Sequence, residues 1–121
     1  MSIEKINLTE KFDLFSDYYN PRIVGELNGQ QVKLVKFKGE FVWHHHDAED
    51  EIFLVVNGAF TMELRNKTVY LKKGDFIIIP KGTEHRPVAH EEVHVMLFEP
   101  ASTLNTGDKQ TELTRNVLER I

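Results

Sequence analysis

The chain has 121 residues, of which 40% are apolar and 28% charged, a composition typical of one globular domain. Its net charge of −4 at pH 7 gives no basic surplus for binding nucleic acid or an anionic membrane, and no apolar run reaches the length of a membrane span, so we expect neither partner. The absence of cysteine excludes disulfides and thiolate chemistry and fits the cytoplasmic location that we expect.

Residues 1–20 predict an arm that packs against the domain. Leu8, Phe12 and Phe15 recur near helical spacing, and Thr9 is a candidate helix cap, so we expect a short helix here. The stretch also lacks the continuous apolar core of a secretory signal. We expect the arm to cover one end of the domain or a neighbouring subunit.

Residues 21–100 predict a succession of short strands separated by turns. Asn28-Gly29 and Asn57-Gly58 each stand between two β-rich runs, which is a strong signal for a hairpin. Many short strands with such turns are typical of a β-sandwich or a β-barrel. The predicted strands are Ile23–Leu27, Val32–Phe37, Phe41–His46, Glu51–Val56, Ala59–Arg65, Val69–Leu71, Phe76–Ile79 and Val93–Phe98.

Three consecutive histidines lie at the end of one predicted strand, and an acid begins the next. Because side chains in a strand alternate between its faces, His44 and His46 point to one side and His45 to the other. Glu51 opens the following apolar run. Imidazole and carboxylate are ligands for divalent transition metals, so the pattern predicts a metal site.

A fourth ligand is available downstream. The strand Phe76–Ile79 is followed by Pro80 and Gly82, which end it at a defined place because proline cannot donate to a ladder and glycine permits positive φ. The resulting turn could carry His85 back toward the same cavity.

These two stretches resemble the two signature motifs of the cupin superfamily. The matching positions are Gly39, His44, His46, Glu51 and Gly58 in the first motif and Gly74, Pro80, Gly82 and His85 in the second. Two features depart from the family pattern: the spacer after Gly39 is one residue shorter than its commonest form, and Ala89 stands where the family has asparagine. The motifs together span about two-fifths of the chain.

The resemblance implies an all-β, single-domain jelly-roll barrel over residues 21–100, with the arm before it. After the barrel, residues 101–121 are expected to form a loop and a short helix over Thr111–Ile121. The resemblance also implies one divalent transition metal per chain, which could be iron, manganese, nickel, cobalt, copper or zinc. The implied metal ligands are His44, His46, Glu51 and His85.

Small cupins resemble dioxygenases, sugar-phosphate isomerases, epimerases and lyases. The resemblance therefore implies that the substrate is a small oxygenated metabolite and that the metal acts on it as a Lewis acid or as an O2-activating centre. The alternative is a non-catalytic module that binds metal or a small ligand. The catalytic residues are unassigned. His94 is a weak candidate for a proton shuttle, and the other interpretation of it is a hydrogen-bonded core or interface histidine. Dioxygen chemistry is favoured because it asks for fewer acid–base groups from the protein.

Two predicted strands are apolar on both faces. In Ile52–Val56 and Ile77–Ile79 every position is apolar, whereas a strand with one solvated face would alternate. Such strands need cover on both sides, which a second subunit would supply. We therefore expect a homodimer, and the alternative is cover from the terminal arms.

Overall fold

The computed structural model describes residues 2–121, and within them nearly all regular structure is β. One short helix precedes seven strands, and all strand pairs are antiparallel. The bounds are Leu8–Phe12 for α1, Arg22–Leu27 for β1, Gln30–Glu40 for β2, Glu51–Asn57 for β3, Ala59–Leu64 for β4, Thr68–Lys72 for β5, Phe76–Ile79 for β6 and His85–Pro100 for β7. The predicted all-β fold class is confirmed.

The long strand β7 organises the sheet. The hydrogen-bonded order is β1-β2-β7-β3-β6, and β4 pairs with both β5 and β7. The first residues of β7, His85 to Val88, pair with β4, while its later residues pair with β3. The strand β7 therefore connects the part of the sheet that contains β4 with the part that contains β3. The interior lies between these two parts.

The β1–β2 hairpin turns where the sequence predicts it. Asn28 and Gly29 have φ angles of 52° and 78°, both in the left-handed region. Two consecutive residues with positive φ match the right-handed twist of the flanking strands, which is why asparagine and glycine are favoured here.

The interior is apolar and rich in aromatic side chains. Glu51, Phe53 and Val55 alternate inward along β3, and all three are buried. The core cluster is completed from several strands and the arm, with Tyr19 stacked between Phe37 and Phe41. Burial of each such aromatic side chain stabilises the fold by roughly 1.5–3 kcal/mol. The residues that surround Glu51 are therefore held in place by packing.

The arm covers part of the outer face of the sheet. Phe12 and Phe15 pack on Leu34, as the spacing of apolar residues predicts. The predicted cap is wrong by two residues, because Asn7 rather than Thr9 precedes the helix. The Asn7 side chain accepts a hydrogen bond from the Glu10 amide at 2.9 Å, which satisfies a free N–H of the first turn.

Three predicted elements differ from the structure. Residues 41–46 do not form a strand; His44 makes only an isolated bridge to His85. The last strand begins eight residues earlier than the predicted Val93, at His85. The helix predicted over Thr111–Ile121 does not form, because a side chain satisfies backbone groups that a helix would pair. The Asn105 side chain donates a hydrogen bond to the Leu113 carbonyl and accepts one from the Arg115 amide. Among residues 2–121 no helix is long and apolar enough to cross a membrane.

Candidate metal centre

Four side chains from three segments of the chain converge in the interior. His44, His46, Glu51 and His85 each place a ligand atom within 4.8 Å of the other three. All four residues are at most 4% exposed. The structure thus brings together all four residues that the sequence analysis singled out for a metal.

Backbone hydrogen bonds hold the two histidine-bearing segments against each other. The His44 amide donates to the His85 carbonyl at 3.1 Å, and the His85 amide donates back to His44 at 2.9 Å. The Gly82 amide donates to the His46 carbonyl at 2.8 Å, and the Lys81 amide donates to Asp50 Oδ1 at 2.8 Å. The proline–glycine turn is therefore tied to the histidine loop, as the sequence predicts.

Hydrogen bonds at Nδ1 orient two of the imidazoles. His44 Nδ1 lies 2.9 Å from the carbonyl oxygen of Val42, and His85 Nδ1 lies 2.9 Å from that of Thr83. A carbonyl oxygen only accepts, so Nδ1 is the donor in both rings, and in the neutral tautomer this leaves the Nε2 lone pair for a ligand bond. Such a bond from the second ring nitrogen is what metal-binding histidines usually make.

Three ligand atoms are buried without a hydrogen-bond partner among the described residues: His46 Nε2, His85 Nε2 and Glu51 Oε1. The two nitrogens lie 3.1 and 3.3 Å from that oxygen. Leaving a buried polar group unsatisfied costs about 1–3 kcal/mol, so three at one point need an explanation. A cation placed among them would satisfy all three, and the residues therefore fit a divalent metal.

Burial at His44 and the neighbouring imidazoles at Glu51 favour the protonation states that a metal requires of these two residues. Burial, together with the neighbouring His85, lowers the pKa of His44 to about 4, so its imidazole is neutral at pH 7. Burial alone would raise the pKa of Glu51, but the imidazoles of His46 and His85 hold it below its usual range. A neutral imidazole and an ionised carboxylate are the forms that bind metal.

The sequence analysis missed a buried ion pair beside Glu51. Lys33 Nζ lies 3.4 Å from Glu99 Oε1, and both side chains are 3% exposed. Burial and then the charge of Glu51 raise the pKa of Glu99. In the structure Glu99 continues the inward series of Val95 and Leu97 along β7, but the sequence pattern alone does not show that this face is the inward one.

The structure does not bring His94 to the cluster. Its ring stacks on Phe12 with 4.5 Å between centroids, and its Nε2 lies 2.8 Å from Glu92 Oε2. The reason is the register of β7, whose inward face carries Val93 and Val95 and whose outer face carries His94. His45 also points away, with its Nε2 2.8 Å from Asp47 Oδ1.

A small cavity adjoins the cluster. Its volume is about 30 Å³, and its polar walls include His44 and Glu51. A water molecule needs roughly 10–15 Å³ by the same measure, so the cavity holds about two water-sized molecules. Most other lining residues are apolar or aromatic, and no lysine or arginine is among them: Tyr19, Pro21, Val35, Phe37, Phe41, Phe53, Pro87, Leu97 and Asn105.

A strap formed by residues 101–109 closes one side of the site. Asp108 Oδ1 accepts a hydrogen bond from the His45 amide at 2.9 Å, and the Asp108 amide donates to the His45 carbonyl at 3.0 Å. Gly107 approaches so closely that a Cβ there would lie 2.2 Å from the His45 carbonyl oxygen. Only glycine permits this approach, which keeps the strap against the histidine loop.

Comparison with known proteins places the chain in a family. The model described as "Cupin domain" matches residues 32–99, more than half of the chain and all four clustered residues. The chain belongs to the cupin family. The resemblance inferred from the two motifs is therefore confirmed, although residues 41–46 are not the strand that we expected.

The chain is similar to several known proteins. A crystal structure of a cupin-2 domain protein from Shewanella frigidimarina shares 45% identity, with a TM-score of 0.77 over 78% of this chain and 93% of that one. The uncharacterized protein YdbB of Bacillus subtilis is 44% identical over 64 residues, 52% of this chain and 57% of that protein. An acireductone dioxygenase of Phaeosphaeria nodorum is 30% identical over 104 residues, 77% of this chain and 56% of that protein. The chain thus spans a little over half the length of these two curated relatives.

Proposed function

We propose that this cupin binds one divalent transition metal through His44, His46, Glu51 and His85 and uses it on a small oxygen-bearing metabolite. The observation that carries the proposal is the convergence of three buried ligand atoms that have no hydrogen-bond partner within residues 2–121. The metal would supply a Lewis acid and, if it is redox-active, a centre for activating dioxygen.

The protein's own contribution is to hold and isolate the ligands. The Val42 and Thr83 carbonyls fix the tautomers of two imidazoles, which aims their Nε2 lone pairs at the same point. The largely apolar walls leave space for only about two water-sized molecules beside Glu51. In such surroundings electrostatic interactions with a bound molecule are stronger than in water.

Few groups at the cavity are free for separate acid–base work. The Tyr19 hydroxyl donates to the Gly39 carbonyl, and burial raises its pKa. The Asn105 side chain is bonded to the backbone of Leu113 and Arg115. This shortage supports dioxygen chemistry over an isomerase, an epimerase or a lyase, which need a positioned acid or base. The similarity to an acireductone dioxygenase points the same way.

The same shortage also favours a second candidate, a module that binds metal or a small ligand without catalysis. Fold does not separate the two candidates, because function depends on the groups at the site. The cavity beside Glu51 is small enough to exclude most metabolites unless the strap moves. A closed site of this kind would store or sense metal.

Dioxygen uptake separates these two functions. The iron-loaded chain is tested in an oxygen electrode with a panel of small oxygen-bearing chelators that includes acireductone. We expect uptake that His46→Ala abolishes and that His45→Ala, a neighbouring histidine outside the cluster, preserves. Bound iron without uptake on any compound would favour the binding module. Equal uptake by both variants would refute the ligand assignment.

We also propose a homodimer. The outer face of β3 and β6 carries Ile52 opposite Ile78 and Leu54 opposite Phe76. Phe76 is 61% exposed and Ile78 is 53% exposed. The arm covers only the neighbouring part of this face, where Phe12 and Phe15 pack. An exposed apolar patch on a β-sheet is a common contact between subunits.

A further inference from the structure

A second and larger cleft lies between β2 and the chain after β7. Its volume is about 370 Å³, which is within the range of ordinary small-molecule sites, whereas the cavity at the metal cluster has only about 30 Å³. None of the four clustered residues lines it. The lining residues are Ile23, Gln31, Lys33, Ala101, Ser102, Thr103, Leu104, Arg115, Asn116, Val117, Leu118 and Arg120.

The charged side chains that line this cleft are all cationic. Lys33, Arg115 and Arg120 line it, and no aspartate or glutamate of residues 2–121 does. This composition contrasts with the net charge of −4 for the whole chain. A concave surface lined by one sign of charge concentrates small ions of the opposite sign.

Lys33 is a buried cation with incomplete pairing. The residue is 2% exposed, and its Nζ lies 3.4 Å from Glu99 Oε1 and 3.5 Å from the Thr103 carbonyl oxygen. Good charge-assisted hydrogen bonds are about 2.7–2.9 Å long, and an ammonium group has three donors. A buried charge is costly unless it is well paired, so Lys33 retains capacity for a further acceptor.

The two arginines at the cleft differ in their partners. Arg120 Nη2 lies 3.1 Å from Glu26 Oε2 and is largely exposed. Arg115 Nη1 donates to the backbone carbonyls of Glu112 and Thr114, and within the described chain no carboxylate lies in ion-pair contact with it. Among residues 2–121 the guanidinium of Arg115 therefore has no carboxylate in ion-pair contact.

We propose that this cleft binds a small oxyanion, the carboxylate or phosphate group of a metabolite, between Lys33 and Arg115. A planar guanidinium matches the paired oxygens of either group, and an ammonium adds a point charge beside them. The cavity at the metal cluster offers an anion no lysine or arginine. None of the four clustered residues lines the cleft, so this site is distinct from the metal centre.

The test is an amide NMR titration of the full chain, with its metal content measured beforehand. Inorganic phosphate and acetate are added separately, with sodium chloride keeping the ionic strength constant. We expect saturable shifts at the amides of Thr103 and Arg115 with at least one of the two ions. Removal of one charge-assisted contact should weaken binding by about tenfold or more in Arg115→Gln and in Lys33→Met. Lys38→Met, an exposed lysine of the same strand, is the matched control and should bind normally.

The outcomes decide both the site and the ligand class. Saturation by phosphate alone assigns a phosphate group, and saturation by acetate alone assigns a carboxylate. If Lys33→Met fails to fold because Glu99 loses its partner, Arg115→Gln still tests the site, since Arg115 is only half-buried. Shifts that do not saturate, or affinities that are equal in Arg115→Gln and Lys38→Met, would overturn the proposal.

Discussion

Gly107 is the residue on which the closure of the site depends. Its φ is +56°, and a Cβ there would meet a backbone oxygen of His45 that cannot move without displacing the histidine loop. We expect Gly107→Ala to lower the free energy of unfolding by about 2 kcal/mol or more beyond the cost of the positive φ alone. Urea unfolding measures this difference.

The control for Gly107 is Gly29→Ala. Gly29 also has a positive φ, +78°, but nothing lies within 4 Å of its Cβ position. That variant therefore carries only the cost of the left-handed conformation, about 1–2 kcal/mol. Equal losses in the two variants would show that the strap does not press on His45.

His44 makes the stability of the metal-free chain depend on pH. Burial lowers its pKa from 6.5 to about 4, so between these values the unfolded chain binds more protons than the folded chain. The contribution of His44 to the free energy of unfolding, about 3 kcal/mol, is therefore fully present above pH 6.5 and is lost as the pH falls toward 4. The lowered pKa of Glu51 acts in the same direction.

Urea unfolding of the metal-free chain at pH 7 and at pH 4 tests this prediction. We expect the loss of stability between the two conditions to be smaller in His44→Gln, because the variant lacks the titrating imidazole. His90→Ala, which removes an exposed histidine, should keep the loss seen in the native sequence. A loss that is unchanged in His44→Gln would contradict a depressed pKa at His44.

At the residue scale the four clustered side chains could be predicted from the resemblance to the two cupin motifs, whose ligand positions they occupy. Alternation along a strand was a weaker guide, because residues 41–46 do not form the expected strand. His94 and Glu99 could not be assigned from the pattern. The alternating run of β7 has apolar residues on both faces, so the sequence does not show which face is inward. Pairing with β3 settles this, since Val95 lies opposite the buried Val55.

The arm helix is short enough for its cap to matter. With only five residues, α1 has few internal hydrogen bonds, and Asn7 satisfies one of its free amides. We expect Asn7→Ala to cost about 1 kcal/mol of stability, whereas Thr9→Ala should cost almost nothing because Thr9 is exposed within the helix. Thermal unfolding compares the two variants. The reverse order would mean that the helix begins at Thr9.

Among the elements, the hairpins were predictable from the turn residues between their strands, and β6 was predictable because turn residues flank it at both ends. The strand expected at residues 41–46 was not. Its apolar and aromatic residues resemble a strand, but only His44 makes a β-bridge, to His85, while Phe41 contributes a single hydrogen bond to the Pro87 carbonyl. A pairing so distant in sequence leaves no local pattern. The early start of β7 at His85 has the same origin, since it depends on pairing with β4.

At the scale of the whole molecule, the exposed face of β3 and β6 predicts self-association. Replacing Phe76 or Ile78 by lysine places a charge on the proposed contact, and we expect light scattering to change from twice the chain mass to the mass of one chain. Tyr70→Lys is the control, because Tyr70 is equally exposed but lies on β5. A native chain that is monomeric at every concentration would contradict the dimer.

The central claim is that the four-residue cluster is a metal site, and elemental analysis tests it most directly. The untagged chain is purified without chelator beside Glu51→Gln and Glu49→Gln, an acid two residues away that lies outside the cluster. We expect about one transition metal per chain in the native protein and in Glu49→Gln, and a loss of most of it in Glu51→Gln. Equal metal in all three proteins, or none in the native chain even after reconstitution, would contradict the account.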